Sequence, residues 1–90
     1  MGREVKLFKS EEKKSRTDIS AFLRQIADKI DQGTVVLRQG ESELTLDIPA
    51  TAILGVQVEE EEKKRKGSQH SLELEIKWYD GIGDSGLELA

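Results

Sequence analysis

The sequence predicts an α+β fold, with a single helix packed on one face of a mostly antiparallel four- to five-stranded sheet in the order β-α-β-β-β-β. Three observations lead there. The stretch from Ile19 to Ile30 repeats its apolar residues every three or four positions, whereas four later stretches repeat them every two. Between these stretches, Gly33, Gly40, Pro49 and Gly67 fall where the chain must stop or reverse.

The helix rests on Ile19, Phe22, Leu23, Ile26, Ala27 and Ile30, which share one face of a 3.6-residue repeat, with Arg24, Asp28, Asp31 and Gln32 opposite. Ser15-Arg16-Thr17-Asp18 has the pattern of a capping box, and Thr17 is the alternative cap. Gly33 can take the left-handed conformation that ends a helix. Before the helix, residues 4–9 read as a first strand with Val5 and Leu7 inward.

Strand alternation aligns Val35 and Leu37, then Leu44, Leu46 and Ile48, then Leu54, Val56 and Val58, then Leu72, Leu74, Ile76 and Trp78. With Gly40-Glu41 as a two-residue turn of type II′, Leu37 pairs with Leu44, Val35 with Leu46, and Arg38 with Glu43. For the last hairpin, common parity of the apolar sets requires a loop with an odd number of residues. Arg65-Lys66-Gly67 meets this requirement and sets Leu54 opposite Trp78. Pro49-Ala50-Thr51-Ala52 supplies the remaining turn.

Roughly twenty apolar side chains can then face inward, the complement a domain of this size needs. The uncovered sheet face should show Arg38, Thr45, Asp47, Gln57, Glu59, Glu73, Glu75 and Lys77, with Val36, Ile53 and Tyr79 as apolar exceptions. One domain over residues 1–79 and a flexible tail over 80–90 are expected.

The run Leu72-Glu73-Leu74-Glu75-Ile76-Lys77-Trp78, alternating apolar with charged and closing on tryptophan, resembles the Amphi-Trp domain family. So do Arg3-Glu4-Val5, the approach Glu11-Glu12-Lys13-Lys14-Ser15, and Phe22-Leu23-Arg24-Gln25-Ile26-Ala27 within the helix. Lys77, where such strands more often keep an acid, is a departure. The resemblance spans about residues 3–78; it implies the fold and its boundaries and carries over no catalytic residue.

Composition excludes several function classes. Among 90 residues, 36% are apolar and 36% charged, lean for a globular domain yet too regularly placed for a disordered one. With no cysteine there is no disulfide scaffold, thiolate zinc site or cysteine nucleophile. A single histidine excludes multi-histidine metal centres within one chain. The net charge of −4 speaks against a general nucleic-acid coat. Lys6 stands where a myristoylation signal needs serine or threonine. No stretch approaches the ~20 apolar residues that span a bilayer, and no apolar leader is visible. A cytoplasmic protein with no membrane association and no cofactor is expected.

The remaining motifs carry little chemistry. Gly81-Ile82-Gly83-Asp84-Ser85-Gly86 spells a dinucleotide fingerprint, but too little chain follows to form the helix that would hold a pyrophosphate. His70 with Ser68 and Ser71 lacks burial and a third orienting group, so no catalytic residue and no enzyme is expected. The acidic run from Glu59 to Glu62, with Glu11 and Glu12, lacks the loop spacing of a calcium site.

Two surfaces are left. The expected function is a small non-catalytic interaction module that binds a protein partner, or itself as a homodimer, through an uncovered sheet face or an edge strand. Its candidate contact residues are Val36, Ile53, Trp78 and Tyr79. The alternative is a nucleic-acid-associated protein using the basic hairpin tip Lys63, Lys64, Arg65 and Lys66, helped by Lys13, Lys14 and Arg16. No aromatic interleaves that basic run, so base stacking there is not supported.

Overall fold

The structure, a computed structural model, describes residues 2–80. It contains a helix α1 (Arg16–Gln32) and four strands, β1 (Thr34–Gln39), β2 (Ser42–Asp47), β3 (Ile53–Lys63) and β4 (Gly67–Lys77). The strands form two separate antiparallel hairpins, β1–β2 and β3–β4. The chain divides into two compact units, Met1–Ile48 and Pro49–Ala90.

In the first unit, Ser15 caps α1: its Oγ accepts the Asp18 N–H at 3.0 Å. Thr17 lies inside the helix and is not the cap. At the other end Gly33 adopts φ 99°, and its N–H donates to the carbonyls of Lys29 and Ile30. That left-handed conformation is open to glycine at little cost. The chain then passes directly into β1.

The β1–β2 register follows from its turn. Gly40 has φ 60° and Glu41 does not share the positive sign, the pattern of a type II′ turn. Val35 pairs with Leu46, Leu37 with Leu44, and Arg38 with Glu43, as the apolar alternation predicts. α1 packs on β1, where Val35 is 5% exposed and is the buried hydrophobic residue of the described chain. Ile26, Ile30, Leu37, Leu44 and Leu46 are half-buried.

In the second unit, β3 and β4 pair along their full lengths, from Ile53 opposite Lys77 to Lys63 opposite Gly67. Gly67 carries φ 79° at the closing position, and residues 64–66 make the turn. The loop has the expected odd length but lies one residue earlier than predicted. Every pair therefore slips by two, and Leu54 faces Ile76 rather than Trp78. An even slip leaves the faces unchanged, so Val56 pairs with Leu74 and Val58 with Leu72. Trp78 falls just past the end of β4 and is half-buried.

Three further expectations are corrected. Residues 4–9 form no strand, so the helix comes first. Ordering such a segment costs ~1–2 kcal/mol per residue, whereas Val5 and Leu7 together would return only ~3–6 kcal/mol if fully buried; both stay exposed. The single sheet is replaced by two hairpins, and Pro49, directly after Ile48, brings no N–H donor to the link toward β3. The apolar rows of β3 and β4 are exposed rather than inward. The expected tail, with the Gly81-to-Gly86 motif, lies outside the described residues apart from Asp80.

Two stability outcomes follow from the caps and turns. Ser15→Ala should cost about 1 kcal/mol by removing the Asp18 N–H acceptor, seen as a lower urea midpoint with an unchanged slope; Ser15→Asp should restore it. Gly67→Ala should destabilise by about 1 kcal/mol, since alanine resists positive φ. By contrast, a Cβ on Gly55 would meet only the Glu75 side chain and carbonyl, at 3.6 Å or more. Gly55→Ala should therefore leave the midpoint equal or higher, and equal losses at both glycines would contradict the assignment.

Candidate interaction surface

Strand period decides what β3–β4 displays. Leu54, Val56 and Val58 on β3 stand opposite Ile76, Leu74 and Leu72 on β4, so one face carries three apolar cross-strand pairs. Each of these side chains is exposed, from 39% at Ile76 to 75% at Val58. No helix or third strand is described within that unit to cover them. The opposite face carries Gly55, Gln57, Glu73 and Glu75, where Glu75 lies across from the side-chain-free Gly55.

The contact residues expected from sequence fall in both units. Val36, in the first, is 45% exposed on the face of β1 turned away from Val35 and Leu37. In the second, Ile53 opens β3 opposite Lys77, and Trp78 and Tyr79 follow directly, so these three gather at the open end of the hairpin. Ile53 and Tyr79 are exposed.

The basic tip is the turn itself. Lys63 closes β3 and pairs with Glu61 at 3.3 Å. Lys64, Arg65 and Lys66 form the reversal, and among the described residues no ion pair engages them. Further down the ribbon, His70 Nδ1 lies 3.5 Å from Glu60 Oε2, its register partner, with both side chains largely exposed. Ser68 lies opposite Glu62 and Ser71 opposite Glu59, so neither is joined to His70 as nucleophile to base. No cluster of metal-ligating side chains is found among the described residues. No described helix is long and apolar enough to cross a membrane.

One feature of the first unit goes beyond the placing of Val36 and Arg38 from sequence: the backbone edge they share with Thr34. Backbone groups alternate sides along a strand, and the Gly33 carbonyl accepts the Ile48 N–H at 2.8 Å. Val35, Leu37 and Gln39 therefore face β2, while the N–H and C=O groups of Thr34, Val36 and Arg38 face away. A groove of about 420 Å³ runs beside this edge, lined by Phe8, Phe22, Ile26 and Lys29 as well as Val36 and Arg38. A second, of about 500 Å³, is lined by Lys29, Gln32, Thr34, Val36 and Arg38. The signal was available: the Gly40-Glu41 turn sets which alternate residues pair inward and hence which are left over.

Family comparison gives the chain its place. The model of the Amphi-Trp domain matches residues 1–89. This chain belongs to the Amphi-Trp domain family. The expected resemblance thus holds, and the match extends past β4 to the residues beyond the description. No curated protein and no solved structure matches the Amphi-Trp chain.

The exposure of the tip sets one outcome. Lys64→Glu combined with Lys66→Glu should shift stability by no more than about 0.5 kcal/mol, measured by urea denaturation. A larger loss would mean that these side chains hold the turn.

Proposed function

We propose that this Amphi-Trp chain is a small non-catalytic interaction module, binding a protein partner or a second copy of itself through an uncovered sheet face or a free edge strand. The observation that supports this most is the exposed row of Leu54, Val56, Val58, Leu72, Leu74 and Ile76. A two-stranded hairpin is marginal alone in water, and a contiguous apolar face on a small protein marks a contact surface. Each such side chain, if fully covered, would contribute ~1.5–3 kcal/mol. Association has that row to draw on.

A second reading draws on the basic tip. Lys64, Arg65 and Lys66 have no acidic partner among the described residues, which favours contact with a phosphate backbone at the end of the ribbon. Binding of this kind weakens with salt by about 0.9 in log K per log salt for each phosphate neutralised.

Sedimentation equilibrium with a solvent-paramagnetic NMR experiment tests the first reading. Wild-type chain should associate with rising concentration, and Leu74→Ser should abolish this while changing monomer stability by under about 0.5 kcal/mol, because Leu74 is already exposed. A chain that stays monomeric, with the methyls of Leu54, Val56 and Leu74 shielded from a soluble gadolinium chelate, would remove the surface on which this reading stands. For the second reading, a mixed-sequence oligonucleotide should shift the amides of residues 63–67 at physiological salt. Shifts that vanish on screening would reduce the tip to a solubilising turn.

A further inference from the structure

The geometry points to one edge in particular: β1 takes up an extended peptide of alternating apolar and acidic residues as an added strand along Thr34, Val36 and Arg38. This rests on the interaction-module reading and names the edge and the chemistry of its partner.

Strand groups left without partners on an edge form a template for another strand. In β1 the ladder to β2 uses Gly33, Val35, Leu37 and Gln39, as the Gly33 carbonyl to Ile48 N–H bond sets the phase. Thr34, Val36 and Arg38 present their N–H and C=O groups to the other side. Both grooves of the first unit that touch β1 run along this side, and Val36 and Arg38 line each of them. The chain's own Phe8, Ser10, Glu12 and Lys14 line one of these grooves, and Ser10 Oγ accepts from Gln39 Nε2 at 3.5 Å, but among the described residues none hydrogen-bonds the main chain of Thr34, Val36 or Arg38, which stays free for an incoming strand.

Side-chain chemistry then narrows the occupant. An added strand must match the two faces of β1. On the helix side its residues would lie beside Val35 and Leu37, in a groove lined by Phe8, Phe22 and Ile26 and by Glu12 and Lys14, which pair with each other at 3.3 Å, so those positions call for apolar groups. On the other side they would lie beside Val36, between Lys29 and Arg38. The groove there is lined by these two cations and by no acid. Arg38 is shared with Glu43 across the hairpin, whereas Lys29 has no acidic partner among the described residues. Carboxylates at alternate positions of the peptide complement that charge. Main-chain hydrogen bonds supply affinity and the alternate side chains supply selection. A peptide of one sign and one parity is what this edge selects.

The chain's own sequence offers a probe of this chemistry. The peptide Ser-Leu-Glu-Leu-Glu-Ile-Lys, the sequence of residues 71–77, would be titrated into the full-length labelled chain. A control peptide would carry lysine in place of both glutamates. The expected result is slowed amide exchange and shifts at Thr34, Val36 and Arg38 with the acidic peptide, and none with the lysine peptide. Lys29→Glu should weaken binding about tenfold, a loss of ~1.4 kcal/mol. Val36→Pro should abolish it while the β1–β2 cross-strand contacts persist, because the Val36 N–H faces away from β2 and proline is tolerated at such an edge position.

The proposal is overturned if the acidic peptide leaves these amides unmoved at millimolar concentration, or if both peptides bind alike. It also fails if the same amides shift with protein concentration and no peptide, which would make a second copy the occupant. Failure at β1 alongside Leu74-dependent association would remove this edge and leave the interaction reading standing. Loss of both would remove the reading itself.

Discussion

Gly33 is the hinge on which the first unit depends. Its N–H closes the last turn of α1 onto Lys29 and Ile30, and its carbonyl opens the β1–β2 ladder by accepting from Ile48. One residue thus satisfies helix carbonyls that would otherwise lack partners and sets the hydrogen-bond phase of the hairpin. Its φ of 99° lets the chain turn from helix to strand with no loop between Gln32 and Thr34. A residue with a Cβ would be strained in that conformation. Because the reversal is so short, β1 is delivered back onto the face of α1 that carries Ile26 and Ile30, and Val35 becomes buried there.

The second unit obeys a different constraint. Its ladder runs from Ile53 to Lys63 against Gly67 to Lys77, so its backbone is well paired, yet its apolar pairs gain little burial. A hydrogen-bonded ribbon without a covered face is a structure with unused capacity. Toward the tip the pattern changes from apolar pairs to Glu59, Glu60, Glu61 and Glu62 opposite Ser71, His70, Gln69 and Ser68. Like charges along a single strand repel, and with no apolar residue in this stretch the tip has nothing to pack. The ribbon thus separates an exposed apolar region near Leu54 and Ile76 from a charged end.

Much of this was legible in the residues. The cap at Ser15, the stop at Gly33 and the register of β1–β2 were, because each is decided within a few residues by a side-chain acceptor, a left-handed glycine or a two-residue turn. The β3–β4 hairpin was legible as to face and loop parity but not register, since sliding the loop by one residue changes every partner yet still leaves three apolar pairs on the same face. The candidate residues Val36, Ile53 and Tyr79 are exposed as expected, while Trp78 is half-buried beyond the strand end. The strand expected at residues 4–9 and the single expected sheet are both absent among the described residues, for a common reason. Alternation shows that a segment could be a strand; it does not say which edge would receive it.

The amino-acid sequence by itself determined the local elements: the period of three to four in α1, the period of two in the strands, and the glycines at positive φ between them. Family membership was legible from the same alternating run that ends at Trp78. Tertiary structure alone decided that no described strand joins the outer edge of β1 and which apolar rows stay uncovered. Periodicity is a property of neighbours along the chain, whereas pairing and burial depend on residues far apart in it. The open edge at Thr34, Val36 and Arg38 and the bare face of β3–β4 follow from that non-local accounting.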